Sequence, residues 1–313
     1  MQTVWYDAPS HTAGAALAAT VTADVDVRAT GVLVRADDLT AVAAAAGKLG
    51  LTESTARTLS VSIAAADPPA IQAFWDEVVG APIFPVRRLD EPRPLRNRIH
   101  VDVVRPYDEA LRARGDREPT GPFGVMLADD EGNEVDLVPG QLVPGTTDWY
   151  ALFSPMVHYP KAPTRFTTAV AELADAAGIP LQLDVRTEGL TIAGRKDAWE
   201  TDPGFVVLAR RIEAAAKELG LRPDPAPLRF VQFGIDASDV PAVRAFWAGF
   251  LGYEFDTRPG VTDIYDPRDL NPVLIFQQLR EPRPQRNRIR FELTGRNPLP
   301  ATDPEGNEIL AGT

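Results

Sequence analysis

The sequence predicts an α+β protein built as two tandem repeats, and three observations predict it. The stretch Glu91–Val103, EPRPLRNRIHVDV, returns as Glu281–Leu293, EPRPQRNRIRFEL, with eight of the first nine positions identical. Other landmarks return in the same order: Trp5-Tyr6 as Trp149-Tyr150, Asp26-Val27-Arg28 as Asp184-Val185-Arg186, Ala73-Phe74-Trp75 as Ala245-Phe246-Trp247, and Glu131–Glu134 as Glu305–Glu308. Self-similarity of this kind outranks any local reading of the chain. Third, each half passes from a helix, hairpin and helix to a strand, a helix and further strands, as judged by the change of apolar period from 3.6 to 2.

The first repeat opens with a short helix over 13–20. Its carboxyl part begins with an alternating strand, Leu59–Ala65, which runs through Asp67-Pro68 into a helix over Pro68–Val79. A strand over Asn97–Val104, a helix over Pro106–Arg114 and strands around the turn 129–133 follow. In the second repeat, Arg165–Gly178 carries Phe166, Val170, Leu173 and Ala177 at helical spacing and ends on glycine. Leu181–Ile192 reads as a hairpin and Pro203–Leu221 as a second amphipathic helix. Strand Phe230–Ile235, helix Val240–Leu251, strands over Tyr265–Leu279 and strand Asn287–Leu293 complete it. The second copy is longer before its EPRP stretch and shorter after it. Each copy has thus lost a piece that the other keeps, which predicts that the halves complete one another's sheets. The EPRP stretch itself, with proline at alternate positions, is expected to be a stiff hinge.

Composition narrows the function. The 313 residues contain no cysteine, so disulfides, thiolate metal sites and a cysteine nucleophile are excluded. A net charge of −12 argues against nucleic-acid or anionic-membrane partners, because phosphate attracts the opposite sign. The amino terminus, MQTVWYDAPS, has no basic region followed by an apolar run, and a cytoplasmic protein is the expectation. The expected partner is a small molecule, and a homodimer is left open.

The helices AFWDEVVG and AFWAGFLGYE, the strand NRIHVDV and the turns DDEGNEVDL and DPEGNEIL resemble the vicinal oxygen chelate superfamily, which includes glyoxalases and bleomycin-resistance proteins. The resemblance covers about 57–140 and 227–313. The helix VAELADAAG, the hairpin LDVRTEGLTI and the helix VVLARRIEAAAKELGL are similar to pterin-4a-carbinolamine dehydratase. Together they imply four domains: 1–56 and 144–226 as degenerate dehydratase-like α/β sandwiches, and 57–143 and 227–313 as glyoxalase-like βαβββ units. The superfamily's metal-ligand positions carry over to Ser60, His100 and Glu134 in the first copy, and to Gln232, Gln277, Arg290 and Glu308 in the second. A serine is a poor ligand, and an arginine sets a permanent cation where a metal would sit. No cofactor is therefore expected; a divalent metal, if bound, would rest on His100 and Glu134. The dehydratase site needs histidines. Its first motif here reads Gly178-Ile179-Pro180 and its hairpin end Ala193-Gly194-Arg195, in a chain with only three histidines, His11, His100 and His158.

Each candidate has a plainer reading. His100 could be a strand histidine bonded to Glu134 or the backbone, and Arg290 an ion pair with Glu308. The arginines around each EPRP stretch, Arg98 and Arg288 among them, either bind an anionic substrate or pair with surface carboxylates. Trp199 has no counterpart in the first half and, with Arg195, marks the mouth of the dehydratase-like cleft as a ligand contact. The resulting expectation is a metal-independent lyase, isomerase or cyclase of secondary metabolism. His100 and Glu134 would act as acid and base and Arg290 as an anion stabiliser, while Gln232, Gln277, Glu308, Arg98 and Arg288 would contact substrate. The alternative is a non-catalytic binding or drug-sequestering protein; residual dehydratase activity is a third reading.

Overall fold

The computed structural model describes residues 1–295 and 300–312. It is an α+β structure whose chain divides into two compact units. The first gathers Met1–Ala56, Gly140–Leu228 and Arg268–Leu270; the second gathers Arg57–Pro139, Arg229–Pro267 and the chain from Asn271 onward.

The first unit is an antiparallel sheet carrying helices. Its two repeated hairpins, Asp24–Arg28 with Gly31–Ala36 and Gln182–Arg186 with Gly189–Ala193, meet edge to edge, with Asp26 opposite Asp184. Facing carboxylates repel. Here Arg186 and Arg35 reach the two oxygens of Asp26 at 2.5 and 2.7 Å. Helices Thr164–Ala177 and Phe205–Glu218 bury Phe166, Val170, Leu208 and Ile212 in a core with Trp149 and Tyr159. The first of these stops at Gly178, whose φ of 66° is the left-handed cap that a glycine adopts without cost. The short first helix begins at His11 rather than Ala13. Its first N–H groups, which have no partner within the helix, explain the shift: those of His11 and Thr12 donate to the Asp175 carboxylate at 3.0 and 2.9 Å, a cap brought from another helix.

The second unit holds two sheets. One runs Glu254–Phe255, Ile264–Tyr265, Leu274–Gln278, Phe230–Ala237, Ile99–Pro106 and the start of Glu134–Leu142, which also pairs with Met126–Ala128. The other runs Ala301–Thr302, Glu308–Ala311, Ile289–Thr294, Thr58–Ala65 and Val86–Arg88. At the centre of each, a strand from the first repeat pairs with one from the second: Gly234 lies opposite His100 and Gln232 opposite Asp102, while Ser62 lies opposite Arg290. Each sheet is thus built from strands far apart in the sequence, and their pairing leaves neither of these central strands with an open edge.

Both sheets give one face to the same core. Ile99, Val101, Val103, Phe233 and Ile235 of one sheet share it with Val61, Ile63, Ile289, Phe291 and Leu293 of the other, and Trp75 and Trp247 join them from the helices Pro68–Val79 and Val240–Leu251. Phe233 and Phe291 meet edge to face at 5.4 Å. Because side chains alternate along a strand, the residues between these point away from the core and give each sheet its own polar face.

The EPRP stretches are not a free hinge. Their ends form a buried joint between the copies. Asn97 accepts from the backbone N–H of Arg288, and Asn287 from that of Arg98, each at 2.7 Å. Asn97 donates to Asn133 at 2.9 Å and Asn287 to Asn307 at 2.7 Å. Asn133 and Asn307 donate in turn to Asp129 and Asp303, which also accept the indole N–H of Trp75 and Trp247. The repeated EPRPxRNRI, Gly-Asn and Phe-Trp signatures are thus parts of one hydrogen-bond chain that occurs twice. Buried polar groups need such partners, which accounts for the repetition without invoking a ligand.

Candidate functional site

The sequence assigns His100 and Ser60 to one candidate site and Gln232 and Arg290 to another. The strand pairing redistributes them. Gln232 joins His100 on the outer face of the first sheet, while Ser60 joins Arg290 on the second. His100 and Arg290 therefore do not share a site: each lies on the polar face of a different sheet, on strands whose intervening residues enter the common core.

On the first sheet, His100 and Asp102 stand two apart on one strand, both buried, with Gln232 beside them on the next strand. The His100 ring lies against the backbone of Gly234, where a Cβ would overlap the imidazole. Nε2 of His100 is 3.6 Å from Oδ1 of Asp102, an ion-pair separation longer than a hydrogen bond. The Gln232 side-chain amide donates to the other oxygen of Asp102 at 2.7 Å. Three polar atoms of this cluster are buried without a hydrogen-bond partner: His100 Nδ1, Asp102 Oδ1 and Gln232 Oε1. Native interiors rarely leave such atoms unsatisfied, and clusters of them mark places where a ligand or solvent completes the bonding.

Asp136, on the neighbouring strand, belongs to the same neighbourhood. Burial pushes its carboxyl up, the Asp102 carboxylate and Glu134 push it further, and His100 and Arg96 oppose them. Glu134 itself does not reach His100; its carboxylate is held by Arg96. Its expected place beside the histidine is corrected: the carboxylates near His100 are those of Asp102 and Asp136. Sequence reasoning passed over both, although a period of two from His100 and from Glu134 points to them. Gln277 lies exposed on the adjoining strand, in register with Asp236.

The donor set does not fit a catalytic metal. One histidine is present, Glu134 is held by Arg96, and Gln232 takes one of the two oxygens of Asp102. No group of three or more His, Asp or Glu among the described residues is arranged to hold a metal ion.

The remaining candidates fall elsewhere. Arg98 and Arg288 are buried in the joint: Arg98 donates to the Glu305 carbonyl, and Arg288 to the Arg93 carbonyl and to Asn133 Oδ1 at 2.8 Å. Their expected contact with substrate is corrected, since their terminal guanidinium nitrogens bond backbone carbonyls inside the joint; the Arg98 Nε is buried there without a partner. Glu308 pairs with Arg286 at 2.7 Å, not with Arg290. Trp199 sits half-buried on the short helix Ala198–Thr201, packed against the core of the first unit, and Arg195 pairs with Asp269 at 2.8 Å. These two belong to the first unit and His100 to the second.

Among the described residues no helix is long and apolar enough to cross a membrane. No curated protein and no solved structure gives a significant match to the chain. Residues 232–304 match the family model described as a glyoxalase-like domain. The match begins at Gln232, on the polar face described above, and its strands contribute to both sheets of the second unit. The chain thus contains a glyoxalase-like domain over residues 232–304, which supports placing this part of it in the glyoxalase-like superfamily.

Proposed function

We propose that the outer face of the first sheet is a small-molecule site of the vicinal oxygen chelate type that works by proton transfer, without a metal. The observation that carries this reading is the trio of buried, unpartnered atoms on His100, Asp102 and Gln232. In this reading His100 is the base. Its Nδ1 is free to take a proton, while Asp102 faces Nε2 and stabilises the imidazolium that results. Asp136, whose carboxyl is pushed toward its protonated form, returns a proton at a second position of the substrate. Gln232 Oε1 accepts from a substrate hydroxyl or amine. One proton leaves and one arrives, so the net change is redox-neutral, as in an isomerase, lyase or cyclase acting on a polar organic molecule. No cofactor and no nucleic acid enters this scheme.

The finer architecture belongs to the same proposal: glyoxalase-like units at 57–143 and 227–313, dehydratase-like units at 1–56 and 144–226, in tandem. The ordered sequence landmarks and the two matching hairpins of the first unit support it. Residual dehydratase chemistry has no support, because Ile179 is buried where a catalytic histidine would stand and Arg195 is engaged by Asp269.

Incubation of the purified protein with a panel of polar metabolites, followed by mass spectrometry, tests the reading. The expected result is conversion of one compound, with the rate falling by roughly 10²- to 10⁴-fold in His100→Gln, the usual worth of a general base. The second reading, a binding or sequestering protein, draws on the same unpartnered atoms. Saturable binding with no turnover in either form would establish it and sink the enzyme.

A further inference from the structure

The second sheet carries a polar face of different chemistry, independent of the one just described. Arg290 stands on Ile289–Thr294 opposite Ser62, half-buried, and its side chain makes no hydrogen bond or ion pair with any described residue. Its Nε is fully buried without a partner. The acidic residues near it are taken: Glu292 pairs with Arg87 at 2.9 Å, and Glu308 with Arg286 at 2.7 Å. Burial together with the neighbouring Arg93 and Arg286 cations disfavours the charge on Arg290, against the smaller opposing pull of Glu308 and Glu292, whose carboxylates bond other arginines. An unpaired buried guanidinium donor is costly unless an acceptor meets it.

We propose that the face around Arg290 and Ser62 is an anion site that takes the carboxylate or phosphate group of a small molecule. A guanidinium presents parallel N–H groups matched to two oxygens of such a group, and its buried Nε–H is one of them. The Ser62 hydroxyl, on the paired strand, is placed to add a third bond. Where the first copy keeps His100, with Asp102 two residues on, the second copy has exchanged acid–base equipment for anion recognition.

The full chain, labelled with ¹⁵N, tests this by NMR of the arginine Nε–H resonances during titration with inorganic phosphate and with malonate at constant ionic strength. Arg290→Lys, which lacks a guanidinium, identifies the Arg290 resonance by its loss. The expected result is a saturable shift of that resonance with at least one anion and a matching rise in melting temperature. Saturation by phosphate alone assigns a phosphoryl ligand, and by malonate alone a carboxylate. In Arg290→Gln the rise in melting temperature should disappear, and in Arg290→Lys the affinity should fall about tenfold, the loss of one charge-assisted bond. His100→Gln should keep the wild-type response, whatever becomes of the proposed enzyme activity. Absence of a saturable shift with both anions, an unchanged thermal response in Arg290→Gln, or loss of the response in His100→Gln would each overturn the assignment.

Discussion

Asp136 and Asp175 are carboxylates displaced in opposite directions by their surroundings, and stability should record both. Asp136 is raised, chiefly by burial and then by Asp102. A raised carboxyl weakens the folded state as pH climbs from the unfolded value, about 3.9, through the folded one, and the loss persists above it. Asp136→Asn should therefore be more stable than the parent at pH 7 in urea denaturation, with the difference vanishing toward pH 3. Asp175 behaves in reverse. Burial alone would raise it, but the hydrogen bonds from Thr12 and His11 outweigh burial and hold it at about 2. Its contribution is present above the unfolded value and is lost as pH falls through the folded one. Asp175→Ala should cost about 2 kcal/mol at pH 7, shrinking as the pH approaches 2. His100 stood out in the sequence because histidines are scarce there. Asp102 and Asp136 did not, since in an acidic chain their environments, and not their identities, set them apart.

At the scale of the element, the strand Phe230–Ala237 places Gly234 under the His100 ring. Gly234→Ala should force the imidazole aside while leaving the strand pairing in place, because the overlapped atoms are those of a side chain. The expected outcome is near-complete loss of any turnover with a melting temperature lowered by only a few degrees, read by calorimetry beside the activity assay. The helices were legible because their stops are local: Gly80, Gly178 and Gly252 each adopt the left-handed cap that ends the element before it. The strands were legible from alternation. Their partners were not, since a period of two tells which residues share a face but not which strand lies alongside. Assigning His100 to a site with Ser60 followed chain order, whereas in space His100 pairs with Phe230–Ala237 and Ser60 with Ile289–Thr294.

For the whole molecule, the interleaved second unit predicts that neither repeat folds alone. A chain split in the turn 144–148 and produced as two polypeptides should yield a complex when the pieces are co-expressed. Each piece alone should be insoluble or aggregated, because it would expose the faces bearing Val61, Ile63 and Phe291. Gel filtration of the separate pieces checks this, and two soluble monomers would contradict it. The α+β class, the order of elements and the lack of cysteine chemistry were all settled by residue order and composition, because periods and caps are local in the chain. What the folded molecule added is the pairing of distant strands: Gln232 beside His100, Arg290 beside Ser62, and Arg93, Arg98, Arg283 and Arg288 bonded to backbone carbonyls. Those outcomes depend on which hydrophobic faces can be buried together and which hydrogen bonds must then be satisfied, and both are properties of residues far apart in sequence.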